Sequence, residues 1–397
     1  MKKIVLSIAW IMLILGGIIS IYFVFSSYFN GLRIWGYDID YEITGQFGDF
    51  IGGVVGTFFA LSGTLLIYLT FKEQQNENRR ISFESSFFEM IKLYRENVSE
   101  LKYRKYKNSD YVIYENREVL REIFDEFIEC YREVRKFSNS KKVEDYLSAK
   151  YAKRLETITR KVNPNIDIIE LARIDIAYSI IFFGLNVEGE SIIRKNFQKK
   201  YNTDYYCKLL FYIKLKPHKR ESERYVKWEE IRNLKLKDLR IFIDELYKNR
   251  NHIENADKTI LPVTIEFPLD YEKYYDGHQF RLGHYFRHLY QSYKFLNMSN
   301  HLKDKEKYSY GKMLRAQLST YEQALVMINS VSSLGMKWEY LPEKYENPKI
   351  KTNIITTYQL IKNLPGVQIY GLKYKVFYPL IKYEFEEQIG IENIKNN

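Results

Sequence analysis

The sequence predicts a mainly α-helical fold: an N-terminal transmembrane helical hairpin, then an all-helical domain interrupted by a small irregular or β-containing insertion. Three observations carry this. The first eighty residues hold two uncharged apolar runs separated by a short acidic segment, apolar residues beyond Arg80 recur at helical spacing, and proline is scarce, 8 in 397 residues.

The apolar runs, Ile4 to Phe25 and Phe50 to Phe71, each extend 22 residues without Lys, Arg, Asp or Glu. At about 1.5 Å rise per residue either crosses a hydrocarbon core roughly 30 Å thick. Lys2 and Lys3 before the first run also open a signal peptide, but this run is too long and no small-x-small cleavage site follows it. A retained hairpin over residues 1–80 is expected. Lys2, Lys3, Lys72, Arg79 and Arg80 flank it, whereas the connection carries only Arg33 beside Asp38, Asp40, Glu42 and Asp49. Because Lys and Arg resist translocation, both termini are expected in the cytoplasm and the loop outside. Trp35, Tyr37 and Tyr41 fit the headgroup level of the bilayer.

The formal net charge of +11 makes an acidic partner plausible, either anionic lipid at the inner leaflet or nucleic acid. Cys130 and Cys207 stand far apart, outside any metal-ligand spacing, and fit a reducing compartment. No metal or other cofactor is expected.

Three regions follow the hairpin. Over 81–195 the spacing predicts helices at Ser82 to Lys105, Glu115 to Phe137, Val143 to Lys161 and Asp167 to Phe183, the last stopped by Gly184. Over 196–270 the pattern weakens around Pro217, Pro262 and Pro268, and an irregular insertion or a small subdomain is expected with one helix, Trp228 to Lys248, and a β-like stretch, Thr259 to Phe267. Over 271–397 helices are expected at Phe280 to Met298, Lys305 to Ser333 and Ile354 to Leu364.

Candidate functional residues lie in four places. Gly48, Gly52 and Gly56, with Gly53 beside them, put glycine at every fourth position of the second apolar helix, a groove that packs either the two helices of one hairpin or neighbouring chains. Asp49 at its outer edge is expected to cap the helix N-terminus, the alternative being a role at a pore mouth. Further on, Arg281, His284, His288 and Gln291 share a stripe of one helix opposite a face of Leu282, Tyr285, Phe286 and Leu289. The His284/His288 pair has metal-ligand spacing but lacks a carboxylate. Arg281, six residues and His288 are similar to the Arg-x(4 to 6)-His pattern of HEPN ribonucleases, in which Arg stabilises a phosphorane and His moves a proton; Leu282 stands where those enzymes usually have a polar residue. The other reading is a structural stripe bonded to the next helix, where Arg315, Ser319, Glu322 and Asn329 align, with Glu322 facing Arg281 or His284. Finally, Lys102-Tyr103-Arg104-Lys105-Tyr106-Lys107 interleaves cations with rings, as strand-binding surfaces do, or forms a solvated basic segment.

Taken together, several blocks resemble the phage abortive infection proteins of bacteria, the AbiC-like family. They are Phe47-Gly48-Asp49-Phe50-Ile51-Gly52-Gly53 with Gln74 after it, Phe87-Phe88, Ala177-Tyr178 with Phe182-Phe183-Gly184, Gly283-His284-Tyr285-Phe286-Arg287-His288-Leu289-Tyr290, and Leu314-Arg315-Ala316-Gln317-Leu318-Ser319-Thr320-Tyr321-Glu322. The chain departs from the family at Gly56-Thr57, where members often have Asn-Pro, and before Asn329, where an aromatic residue is usual. The resemblance implies defence against bacteriophage at the inner membrane by halting or killing the infected cell, and supplies no catalytic residues. Partners expected on the membrane reading are the lipid bilayer and further copies of the chain, with a phage component or nucleic acid as trigger. The alternatives are a membrane-tethered ribonuclease using Arg281 and His288, and a membrane scaffold for a separate effector.

Overall fold

The computed structural model describes residues 2–30, 39, 41–107, 109–248, 258–260, 263–265, 272–344 and 350–386. Trp35 and Tyr37, assigned above to the headgroup level, lie outside them. The chain is mainly helical and divides into two compact units, Met1–Phe88 and Glu89–Asn397.

In the first unit, α1 (Lys2–Phe29) packs against a long helix that begins as α2 (Tyr41–Phe50), passes through one π-helical turn (Ile51–Val55) and continues as α3 (Gly56–Ser99). Two stretches, Lys2–Phe29 and Thr44–Ser99, are long and apolar enough to cross a membrane by length and composition. The seam is made by small residues on α1 and rings opposite. Ser62 Oγ donates to Ala9 O at 2.8 Å, a Cβ on Gly16 would lie 3.1 Å from the Phe59 ring, and Phe23 stacks on Phe50 with centroids 4.4 Å apart. Two expectations change here. Asp49 is no N-cap, because the helix starts eight residues earlier at Tyr41, leaving Asp49 exposed on its flank. Nor do Gly48, Gly52 and Gly53 line the intrachain seam: among the described residues a Cβ added at any of them meets nothing within 4 Å, and one on Gly56 meets Ile51 O, at 3.6 Å.

In the second unit α3 stops at Ser99, and the expected helical continuation to Lys105 is instead a β-hairpin, β1 (Lys102–Lys107) paired antiparallel with β2 (Asp110–Glu115), Tyr103 opposite Tyr114. α4 (Arg117–Phe137) follows. The expected helix from Val143 is a 3-10 turn (Val143–Asp145) and then α5 (Ala149–Thr159). α6 (Ile168–Phe183) starts on the Asp167 carboxylate, which accepts from Ile169 N, and ends at Gly184, φ +82°. It is apolar nearly all round and forms the core helix, packed on α4.

After α7 (Val187–Phe197), the region expected to be irregular with one helix holds three: α8 (Thr203–Lys214), α9 (Glu223–Asn233) and α10 (Leu236–Lys248) among its described residues. The expected Trp228–Lys248 helix is two helices, broken at Leu234, whose ψ of 149° is extended. β3 (Lys258–Ile260) and β4 (Val263–Ile265) form a second antiparallel pair. The remaining helices are α11 (Gln279–Met298), α12 (Asp304–Arg315), α13 (Thr320–Val331), α14 (Ile354–Tyr358) and α15 (Tyr374–Phe377). The single helix expected over 305–333 is therefore two. Ser319 caps α13: its Oγ accepts from Glu322 N at 3.3 Å while Ser319 N donates back to the Glu322 carboxylate at 2.7 Å, a capping box. Arg315 and Glu322 thus belong to different helices, and their expected common face does not exist. The helix expected to reach Leu364 ends at Tyr358, beyond which Gln359 adopts a left-handed conformation, φ +54°.

Candidate functional site

The densest polar constellation of the second unit lies along α4. Glu122, Glu126, Glu129 and Glu133 recur at i, i+4, i+7 and i+11 and so share one helix face. Lys105 reaches in from β1, its Nζ 2.6 Å from Glu122 and 2.8 Å from Glu126. Tyr103, two residues earlier and on the same face of the strand, donates its hydroxyl to Glu126 at 2.6 Å. One turn on, Lys216 Nζ sits 3.0 Å from Glu129 and 2.9 Å from Glu133, and 3.7 Å from the centre of the Tyr274 ring. Arg220 donates to Glu129 and to the Tyr274 hydroxyl, both at 2.6 Å, and Tyr275 donates to Glu133 at 2.9 Å.

A close backbone crossing holds the aromatic and imidazole members in place. His278 N donates to Ile181 O and Phe182 O, both at 3.0 Å, and Leu185 N donates to Tyr275 O at 2.8 Å. A Cβ on Gly184 would lie 2.3 Å from Asp276 O, and one on Gly277, φ +94°, 2.6 Å from Phe183 O. Only glycine fits both positions. The crossing delivers His278 to the ladder, where its Nε2 lies 2.8 Å from Glu126 and its Nδ1 3.3 Å from Arg281 NH1. A guanidinium only donates, so Nδ1 accepts and Nε2 carries the hydrogen given to Glu126.

The electrostatics favour fixed charge over proton transfer. Burial alone raises the Glu126 carboxyl, but the Lys105 ammonium and His278 outweigh it and hold the group well below the usual carboxylate range. Glu129 is drawn down to about 2 in the same way: burial opposes the shift, and Lys216 and Arg220 overcome it. Burial likewise lowers Lys105 and Lys216, yet Glu126 beside the first and Glu133 beside the second leave both ammonium groups above the usual lysine range. Groups so held keep one protonation state through the neutral range and are poor general acids and bases. The ladder is a clamp joining β1, α4, the segment after α8 and the start of α11.

The residues singled out in the sequence fall into three settings. Arg281 belongs to the clamp: Nε donates to Lys102 O at 2.9 Å and the guanidinium lies 4.8 Å from the centre of the Tyr103 ring. His284 is exposed and His288 half-buried on the outer side of α11. Among the described residues His288 Nδ1 is buried without a hydrogen-bond partner, and burial first, then His284, lowers its pKa. Glu322 faces neither Arg281 nor His284, as had been expected. It is fully buried at the start of α13, taking hydrogen bonds from Tyr94, Tyr285 (3.4 Å) and Ser319 N, with Arg117 Nε at 3.7 Å. Arg315 is buried and donates to Tyr358 O at 3.2 Å and Gln359 O at 3.0 Å, tying α12 to the end of α14. Asn329 links Tyr178 to Trp338, at 3.0 and 3.1 Å. Among the described residues no group of three or more His, Cys, Asp or Glu is arranged to hold a metal ion.

The run Lys102–Lys107 is neither a strand-binding face as a whole nor a solvated segment, since Tyr103 and Lys105 are buried. Sequence reasoning missed the carboxylates of the clamp, although four glutamates at one helical spacing, interleaved with Ile123, Phe124, Phe127 and Ile128, were there to be read as a buried acidic stripe.

These features define a mainly helical protein with two helices of membrane-spanning length and a second helical unit locked by buried ion pairs. Residues 277–369 match the family model described as "Putative phage abortive infection protein". The matched segment opens at Gly277 and His278 of the clamp, runs through α11 to α14, and contains both the Gly283–Tyr290 and the Leu314–Glu322 blocks. No curated protein and no solved structure matches the chain.

Proposed function

We propose that the protein is a membrane-anchored anti-phage effector of the inner membrane, in which the unit from Glu89 onward senses infection and the helical hairpins, assembled between copies, permeabilise the bilayer. The observation that carries this is the glycine face of the second long helix. The intrachain seam uses Ala9, Gly16 and Phe23 of α1, while Gly48, Gly52 and Gly53 stay open along the helix that contains the π turn. Glycines spaced in this way let a neighbouring backbone approach closely within lipid. The π turn adds local adaptability: Gly56 N donates to Ile51 O and Thr57 Oγ1 donates to Gly53 O at 2.5 Å, both departures from the plain helical pattern. With Lys2, Lys72, Arg79 and Arg80 flanking the two apolar runs, both termini face the cytoplasm.

The tethered-ribonuclease reading has less support, because Arg281 is committed to Lys102 O, His278 and Tyr103 rather than free beside His288. The scaffold reading differs from the effector reading in needing a second gene product.

The test is inner-membrane potential, followed with a voltage-sensitive dye through phage infection of cells with and without the protein. Depolarisation before lysis only in cells carrying the protein is the expected result. Growth arrest with a preserved potential, or full protection by a version lacking residues 1–75, would overturn the proposal.

A further inference from the structure

The clamp engages α11 at its first turn, through Arg281, and the outward side of the helix is left with a distinct chemistry. Phe280, His284, Arg287, His288, Gln291 and Lys294 fall at i, i+4, i+7, i+8, i+11 and i+14, a single stripe about 120° wide. Phe280 is 93% exposed. His284, Arg287 and Gln291 are exposed as well. Lys337 adds a further cation beside the stripe, its Nζ 4.1 Å from the centre of the Tyr290 ring. Among the described residues one carboxylate pairs with this group of cations: Glu343, 2.6 Å from Lys294. Among the same residues no carboxylate lies within ion-pairing distance of Arg287.

Two side chains register the resulting excess of positive charge. Burial lowers Lys337, with Glu343 opposing and Lys294 and Arg287 adding to the effect. His288 is lowered by burial and by His284, and its buried Nδ1 lacks a partner among the described residues. A protein gains nothing in stability from like charges gathered on one exposed face, and an anion relieves the repulsion.

We propose that this outer face of α11, with Lys337, binds a single-stranded nucleic acid, phosphates against Arg287, Lys337 and Lys294 and an unpaired base on the Phe280 ring. An exposed ring with Arg287 two turns and Lys294 four turns further along the same face suits a strand whose bases are free to stack. A helix lying on a lipid surface presents a row of apolar side chains, and this stripe has one. The inference deepens the proposed function and rests on a sensing role for the unit from Glu89 onward, since it supplies the class of ligand that unit would sense.

The experiment is fluorescence anisotropy of labelled single-stranded RNA and DNA oligonucleotides of about 20 nucleotides, a length that spans several stacking and phosphate sites. The probe is titrated with the full chain in nanodiscs of zwitterionic lipid over a range of salt. The double change Arg287→Gln with Lys337→Gln should weaken binding roughly tenfold and flatten the dependence of log affinity on log salt by about 1.4, two phosphate contacts on a single strand. Phe280→Ala should weaken it at least about fivefold through lost stacking. Lys150→Gln with Lys153→Gln, the same charge change on exposed positions of α5, should leave affinity within about twofold. Absence of binding by the unaltered chain, equal loss in both double variants, or tighter binding of the same sequence as a duplex would each overturn the inference. Binding is read without reference to membrane potential, so this proposal and the effector reading fail independently.

Discussion

At the scale of single residues, the unit from Glu89 onward is organised by charges that depend on one another. Glu126 holds Lys105, Tyr103 and His278 at once, so Glu126→Gln leaves a buried ammonium with Glu122 as its remaining carboxylate partner. Breaking a buried pair from one side costs on the order of 3 kcal/mol or more. Adding Lys105→Met to that variant should recover a large part of the loss, because the stranded charge goes with it. Denaturation of the detergent-solubilised chain and its variants measures both steps, and additive losses would contradict the coupling. The pH dependence has a definite sign. Glu129 titrates at about 2 in the fold against an ordinary value of 4.5. A carboxyl depressed in this way contributes stability that is complete above 4.5 and is lost as pH falls toward 2. Glu129→Gln should therefore flatten the acid limb of the stability profile, relative to its own plateau, over that window.

Whole helices were more legible in the sequence than their ends, and the failures have identifiable causes. α6 was readable because its N-cap aspartate and terminal glycine bracket a nearly continuous apolar run. The division between α12 and α13 was hidden because Leu314, Leu318, Tyr321, Leu325 and Ile328 keep one helical phase across the break, although Ser319-x-x-Glu322 is a capping-box signature. β1 was hidden for another reason: its inward positions are Tyr103 and Lys105, and a lysine there reads as surface until its partners, 17 and 21 residues on, are known. Of the candidate site, the α11 stripe was visible as a pattern, whereas the assignment of Arg281 and Glu322 to partners was not, because those partners come from β1, α3 and the first residue of α4. One short element carries its own pH response. Glu339 accepts from Thr356 N at 3.1 Å and from Thr356 Oγ1 at 2.5 Å, anchoring α14, and burial pushes its carboxyl up to about 7 against the Thr356 hydrogen bonds. A raised carboxyl contributes stability that is complete below 4.5 and is lost as pH rises through about 7. Glu339→Gln should remove that loss. The thermal midpoint of the variant should decline less than that of the parent chain between pH 5 and pH 8, and parallel curves would exclude Glu339 as its source.

For the molecule as a whole, the proposed function turns on whether the hairpin is only an anchor or acts in the bilayer. Two glycines separate these roles. Gly16 lies in the seam inside one hairpin, where a Cβ would come within 3.1 Å of Phe59 and 3.3 Å of Phe58, so Gly16→Leu should disrupt the hairpin itself and lower the amount of protein in the membrane. A Cβ added at Gly52 meets nothing within 4 Å, so Gly52→Leu should keep the hairpin, since leucine also favours helix over glycine by about 0.8 kcal/mol. Its added side chain fills the groove that a second chain would enter. The second unit begins at Glu89, far along the chain from the substitution, so its thermal midpoint should not move. The expected result is therefore specific: Gly52→Leu reaches the membrane at parental level, loses cross-linking between copies of a Gly48→Cys reporter, and loses both depolarisation and protection during infection. A variant that keeps its protection after losing the cross-link would reduce the hairpin to an anchor and move the killing activity into the unit from Glu89 onward.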